Sequence, residues 1–280
     1  MLSCTQPVDI SIDFGEPQLV LNSILDATKD SIGVTLSLSH SITSVESFQK
    51  VNDAVVELYE DQQLVGQFAF TDSGVYVLNY RPFVGKEYEI VARTGGKTVK
   101  GRTRIPEAVS FELEKIDDEY DDFKLTMNGN DIDSANVWIS VLSTHFFVSD
   151  TLEKVPRHSI YSSSTFLDPF NRGEDTYKQY AYSYEYYLLL SGYENKESVE
   201  IFFGLEADVR SNEIIVSVFD DNLSSYVKSS IMATDVENTM GDYPFYIDPV
   251  EVYSNIEGGI GIVGSMNSNS KEILNRLIFH

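Results

Sequence analysis

At 280 residues, 42% hydrophobic and 12% aromatic, the chain is long enough for one large or two ordinary domains, and its composition excludes global disorder. Lys and Arg number 20 against 44 Asp and Glu, a formal charge of −24 that argues against any nucleic-acid partner. An anionic membrane surface would repel it too, so membrane attachment has to be covalent or through a partner. One cysteine leaves no internal disulfide and no multi-cysteine zinc site, and no apolar run approaches the roughly 18 residues of a membrane helix.

That cysteine, Cys4, stands directly after Ser3. A small residue before a near-terminal cysteine resembles the end of a bacterial lipoprotein signal, where cleavage leaves the cysteine to carry lipid; the alternative is a frayed thiol without a role. Val8, Ile10, Ile12 and Phe14 alternate with Asp9, Ser11 and Asp13, the period of a half-buried strand. Lipid on Cys4 would therefore hold the folded body close to the bilayer.

From Gln18 to Pro106 the pattern predicts short strands separated by regular turns: Leu19 to Ile24, Val34 to Leu38, Ala54 to Leu58, Leu64 to Phe70, Val75 to Tyr80, Tyr88 to Ala92 and Thr98 to Ile105. Asp72-Ser73-Gly74 and Gly95-Gly96 supply turn chemistry. This spacing predicts a β-sandwich of immunoglobulin-like topology, held by packing alone because no cysteine pair exists.

Pro106 marks the expected domain boundary. Val109 to Lys115 and Phe123 to Met127 flank an acidic stretch, Asp117-Asp118-Glu119-Tyr120-Asp121-Asp122, which lacks the ligand offsets and glycine of a calcium loop and reads as a solvated hairpin tip. Asn128-Gly129-Asn130-Asp131 predicts a turn leading to Val137, Ile139 and Val141 on one face of a strand and Trp138 on the other. Thr144 to Thr176 is irregular, so it is either functional or hides short strands. His145 and His158 lie in it without acidic or cysteine partners nearby and read as ordinary residues. Tyr180, Tyr182, Tyr184 and Tyr186 share one face of a predicted strand, as an aromatic ladder within a sheet or as a partner-contact face.

Val199 to Val209 and Glu213 to Phe219 are further predicted strands, and Asp220-Asp221 is placed to cap a short helix over Asn222 to Met232. Thr234 to Ile247 reads as a loop. The stretch from Asp248 to Gly264 holds two apolar runs, Val250 to Tyr253 and Ile260 to Val263, around a glycine hinge, the pattern of a bulged closing strand. Lys271 to Phe279 reads as a last helix or a frayed tail. No phosphate-cradling loop, His-Glu-x-x-His motif or Cys/His pair is present, so no catalytic residue, cofactor or metal is expected.

Several of these segments together resemble a Bacteroidota outer-membrane lipoprotein family, domain of unknown function 4249. They are the cysteine ahead of Ile10 to Phe14, Leu19 to Ile24, Asn52 to Leu58, Gly74-Val75-Tyr76, Gly85 to Ile90, Ile105-Pro106, the helix with Tyr226 and, most specifically, Val252-Tyr253-Ser254-Asn255-Ile256-Glu257-Gly258-Gly259. The resemblance implies an accessory lipoprotein of the kind often encoded beside TonB-dependent transporters, and it supplies no catalytic residues.

The expected fold is all-β, with an anchor segment and first strand over 1–16, an immunoglobulin-like sandwich over 17–107, and a larger antiparallel β-domain with one short helix over 108–280. The expected function is a non-enzymatic lipoprotein on the cell-surface side of the outer membrane, docked on an outer-membrane β-barrel protein. The alternative is a free-standing adhesion or ligand-binding module.

Overall fold

The computed structural model describes residues 16–39, 48–117, 122–132, 135–146, 152–156, 161–162, 164–168, 188–204, 211–240 and 250–274. Eight strands build the first body. They are β1 (Leu19–Asp26), β2 (Ile32–Leu38), β3 (Val55–Glu60), β4 (Gln63–Gln67), β5 (Ala69–Asp72), β6 (Val75–Leu78), β7 (Glu87–Thr94) and β8 (Lys97–Arg104). One layer runs β1-β2-β6-β5 and the facing layer β4-β3-β7-β8. Lettered in chain order, these are the A-B-E-D and C′-C-F-G sheets of an immunoglobulin-like sandwich, as the turn spacing predicted.

Its core takes the alternate residues of each strand: Leu19, Leu21 and Leu25, Ile32, Val34 and Leu36, Val56 and Leu58, Tyr88 and Ile90. The hairpin turns follow from local chemistry. Gly95-Gly96 and Ser73-Gly74 hold both central residues at positive φ, and Asp61-Gln62 does so without glycine, at 46° and 69°. Asp61 is held there by Lys86 Nζ at 2.6 Å and by the Glu87 N–H at 3.3 Å. The predicted strand from Leu64 to Phe70 is in fact two strands in different sheets. The chain crosses between layers at Phe68, whose side chain plugs the core at 3% exposure.

A tyrosine corner replaces the missing disulfide as the polar fixture of this body. Tyr88 near the start of β7 is buried; its hydroxyl accepts the Phe83 N–H at 2.9 Å and donates to Glu60 Oε2 at 2.6 Å. Tyr80 donates to the same carboxylate oxygen. Burial, then the hydrogen bond to the Glu60 carboxylate, pushes the Tyr88 phenol well above its ordinary range, so it stays protonated as a donor. Tyr88→Phe is expected to cost about 1.5–3 kcal/mol, the range for hydrogen bonds to charged groups, read as a lowered denaturant midpoint.

The second body contains β9 (Phe111–Asp117), β10 (Asp122–Asn128), the one-turn α1 (Gly129–Ile132), β11 (Asn136–Phe146), β12 (Leu152–Pro156), β13 (Tyr161–Ser162), β14 (Leu188–Leu189), β15 (Ser198–Gly204), β16 (Ser211–Phe219), α2 (Asp221–Met240) and β17 (Ile260–Leu274). The sheet β13-β15-β10-β9 packs on β11 and β16 through Phe123, Leu125, Val199, Ile201, Val137, Ile139, Val141, Ile214 and Val216. Trp138 points the other way, as its alternation with Val137 and Ile139 predicts, and is covered with Phe219 by Leu223 of α2. The two rings stack at 5.3 Å.

Several elements differ from the sequence reading. The segment from Thr144 hides two short strands, β12 and β13. The turn at Asn128–Asp131 closes as one helical turn. The helix does not stop at Met232: no glycine or proline interrupts the chain, and it runs on to Met240 through the stretch expected as a loop, 20 residues in all. The tail from Lys271 continues as strand to Leu274. Residues 250 to 256 form no strand, so the closing strand begins at Ile260.

That last strand unites the molecule. β17 pairs parallel with β1 over Val20↔Ile260 to Asp26↔Met266 and antiparallel with β16 over Phe219↔Met266 to Ser211↔Leu274. One nine-stranded sheet, ordered β12-β11-β16-β17-β1-β2-β6-β5 with β14 also on β11, therefore runs through both bodies. Each four-stranded sheet covers one half of it.

Candidate functional site

The most elaborate polar arrangement among the described residues lies where the two bodies meet, around Asp220 and the strap Val252–Gly259. Asp220 is the N-cap of α2: its Oδ1 accepts the Leu223 N–H at 2.9 Å and the Ser265 N–H of β17 at 3.0 Å. Its Oδ2 accepts the Thr103 hydroxyl of β8 at 2.7 Å and Asn222 Nδ2 at 3.3 Å. The Ser265 hydroxyl lies within reach of Thr103 Oγ1 at 2.7 Å and of the Arg104 carbonyl at 2.8 Å. One carboxylate thus ties the helix, the last strand of the first sandwich and the shared strand. Burial raises the Asp220 carboxyl above its ordinary range, against the opposing pull of its four donors.

The strap closes the same seam from outside. Asn255 Nδ2 donates to the carbonyls of Arg102 at 2.9 Å and Val263 at 2.8 Å, while its Oδ1 accepts the Val263 N–H at 2.9 Å. Ser254 Oγ accepts the Gly261 N–H at 3.1 Å. Tyr253 donates its hydroxyl to Asn222 Oδ1 at 2.7 Å, and its backbone N–H reaches Ser229 Oγ at 2.9 Å, so the strap is bound along α2. Glu257 exchanges backbone hydrogen bonds with Lys100 and pairs with its ammonium at 2.8 Å.

The glycines of the motif are required by contact rather than by turn formation alone. A Cβ on Gly258 would lie 2.4 Å from the Thr98 carbonyl oxygen, on Gly259 2.3 Å from that of Leu19, and on Gly261 2.2 Å from that of Leu21. The segment that looked most specific in sequence is therefore a clasp of backbone against backbone. It holds the two sandwiches together.

A second feature lies at the end of the first sandwich where the chain enters. Gln18 and Ser39 exchange hydrogen bonds there, and Lys97 Nζ holds the Pro17 carbonyl at 3.1 Å. Beside them a depression of about 400 Å³ is lined by Leu19, Leu38, Val51, Lys50, Gly95 and Lys97, among others. Phe48 stands at the same end, 54% exposed.

Of the residues singled out by sequence, Cys4 and Tyr180, Tyr182, Tyr184 and Tyr186 lie outside the described residues, as does His158. His145 falls within β11, in register with Glu153. The acidic stretch takes its predicted place: β9 and β10 pair antiparallel up to Asp117↔Asp122, with 118–121 outside the description. Among the described residues no group of three or more metal-ligating side chains converges, and no helix is long and apolar enough to cross a membrane. Sequence reading found Asp220 as a helix cap. It missed Thr103 and Ser265, and it named Asn255 within the motif without its role, because these contacts arise only when segments more than a hundred residues apart meet.

None of the curated proteins matches the chain. Among solved structures, one described as "Putative membrane anchored protein" from Corynebacterium diphtheriae aligns at 10% identity, over 72% of this chain and 54% of that one, with a TM-score of 0.21. The chain thus spans about half of that protein, and so low a score carries no argument about fold or function. The family described as Domain of unknown function (DUF4249) matches residues 5–272, through both sandwiches and nearly to the end of β17, and the chain belongs to that family.

Proposed function

We propose that this protein is a non-enzymatic lipoprotein of the outer membrane, anchored through Cys4 and docked on a β-barrel transport complex as an accessory subunit. The observation that carries the reading is the place of Cys4: it follows Ser3 and directly precedes Thr5, the first residue of the family match. The character of the seam supports it, since the polar groups there are spent on joining two sandwiches into one body. A charge of −24 is repelled by anionic lipid, so attachment has to be covalent or through a partner, and this reading uses both.

A single acyl chain anchors marginally, whereas a multiply acylated cysteine anchors firmly. Cys4→Ser is therefore expected to move the protein from the membrane pellet to the soluble fraction. Unchanged membrane association in a strain that also lacks the barrel partner would sink the lipoprotein reading. Docking is tested by gentle detergent extraction and pull-down, in which a stoichiometric β-barrel protein is the expected companion. Recovery of the protein alone would favour a free-standing binding module. Alanine at Tyr180, Tyr182, Tyr184 and Tyr186 in the same assay reads their proposed partner contact: weakened capture at unchanged stability marks a docking face, and lost stability marks an internal ladder.

A further inference from the structure

The chain's point of entry, the direction of β17 and the chemistry of the entry end together define an orientation. We infer that the end of the first sandwich formed by Pro17 to Leu19, Leu38, Phe48 to Asp53 and the Gly95-Gly96 turn is a phospholipid-contacting surface, and that β17 carries the second sandwich away from the bilayer. This rests on the anchor at Cys4.

Only the residues from Thr5 to Pro17 separate Cys4 from this end, and a chain of that length spans at most about 45 Å. The body is thus tethered by the end that bears the depression, which keeps that end within this reach of the headgroups.

The surface chemistry fits an interface. Leu19, Leu38 and Val51 line the depression together with Lys50 and Lys97. Lysines beside apolar walls can lay their aliphatic stems along them while the ammonium groups meet lipid phosphates. Phe48 at 54% exposure is placed to enter the interfacial layer, and Gly95-Gly96 presents bare backbone. Among the described residues of this end, Lys50 and Lys97 stand with Glu16, Asp53 and Asp72, a small net charge beside the −24 of the whole chain. A second copy of the chain would bring the same −24 towards it, which disfavours self-association as its use.

β17 gives the direction in which the second sandwich extends. It begins beside Val20 at the entry end, runs parallel with β1 to Met266, and continues to Leu274 beyond the last residue of β1 in the pairing. That further stretch advances roughly 25 Å at strand rise. The second sandwich is built on it, with β16, β11 and β12 following in order across the sheet.

The test uses the full lipidated protein in vesicles of phosphatidylethanolamine and phosphatidylglycerol with brominated acyl chains. The one native tryptophan, Trp138, is fully buried beneath α2 and gives a constant background. Phe48→Trp and Phe202→Trp each add a reporter at an exposed aromatic position, the first at the entry end and the second on the outer face of the β13-β15-β10-β9 sheet. A blue shift with several-fold stronger quenching at position 48 than at 202 is the expected result. Equal quenching at both, none at either, or stronger quenching at 202 would overturn the orientation.

The mass of the Cys4 peptide reads the anchor separately. An unmodified Cys4 would defeat the anchor reading; the orientation would then be judged by the same reporters after coupling this sole cysteine to a maleimide lipid, with the same outcomes counting for and against.

Discussion

Gly261→Ala is expected to destabilise the protein by more than about 4 kcal/mol, or to leave no folded protein to purify. Gly261 sits at φ +119°, outside the range of ordinary side chains, and directly opposite Leu21 in the parallel β1–β17 pairing. A Cβ there would stand 2.2 Å from the Leu21 carbonyl oxygen and 2.7 Å from Asn22 Oδ1, and a backbone carbonyl within a ladder cannot step aside. Asn22 Oδ1 also accepts the Ile262 N–H at 3.2 Å, so the displaced strand would leave that group unpaired. Gly33 of β2 is the matched control, because no atom lies within 4 Å of its Cβ position. Gly33→Ala is expected to stabilise by roughly 0.4–1 kcal/mol through the unfolded state. Denaturant midpoints of the two variants decide the matter, and a Gly261→Ala midpoint near wild type would contradict the parallel register.

Asp220→Ala is expected to cost about 2–4 kcal/mol, since it removes the helix cap on the Leu223 N–H and strands the Ser265 N–H at the seam. Asp220→Asn should behave quite differently. Its carbonyl oxygen still accepts from Leu223 and Ser265, and Thr103 can turn to accept from the new amide. The pH dependence separates the two roles. The folded carboxyl is raised above its ordinary value, so between the two values the folded state binds more protons than the unfolded one, and stability falls as pH rises through that window. Asp220 thus favours the fold most under acid conditions and loses that contribution as pH rises through the folded value. Asp220→Asn should remove this slope while leaving the neutral-pH midpoint within about 1 kcal/mol of wild type, the scale of one net hydrogen bond. An unchanged slope in the Asn variant would show that the carboxylate titrates normally.

Local order was readable wherever one face of a strand meets a core. The alternation Val137, Trp138, Ile139 gave both the strand and its two separate environments, and the glycine turns located the β5–β6 and β7–β8 hairpins of the first sandwich. Reading stopped where tertiary pairing replaces apolar burial. β17 carries Ser265, Asn267, Ser268, Asn269 and Ser270, which the sequence pattern assigns to no element because they alternate nothing hydrophobic. In the fold Asn267 and Asn269 donate to the carbonyls of Pro106 and Val109, at 3.1 and 2.9 Å, so this stretch of the strand satisfies the linker between the sandwiches. The crossing at Phe68 was hidden for the opposite reason, since one buried aromatic between two short strands preserves the pattern of a single longer one. The clasp was visible as a motif, but its purpose lay in the Leu19, Leu21 and Thr98 carbonyls that its glycines approach.

The shared strand also sets an order of events during biosynthesis. β1 is made at the start and its partner β17 almost at the end, with Asn22 and Ile262 240 positions apart. Until β17 has emerged, β1 presents an unpaired edge, a template for aggregation that has to be kept shielded. Closure over so long a separation is slow, because most of the loop entropy is spent before any pairing is gained. A nonsense change or proteolytic nick ahead of β17 would consequently leave β1 of the first sandwich, as well as β16 of the second, without its strand partner.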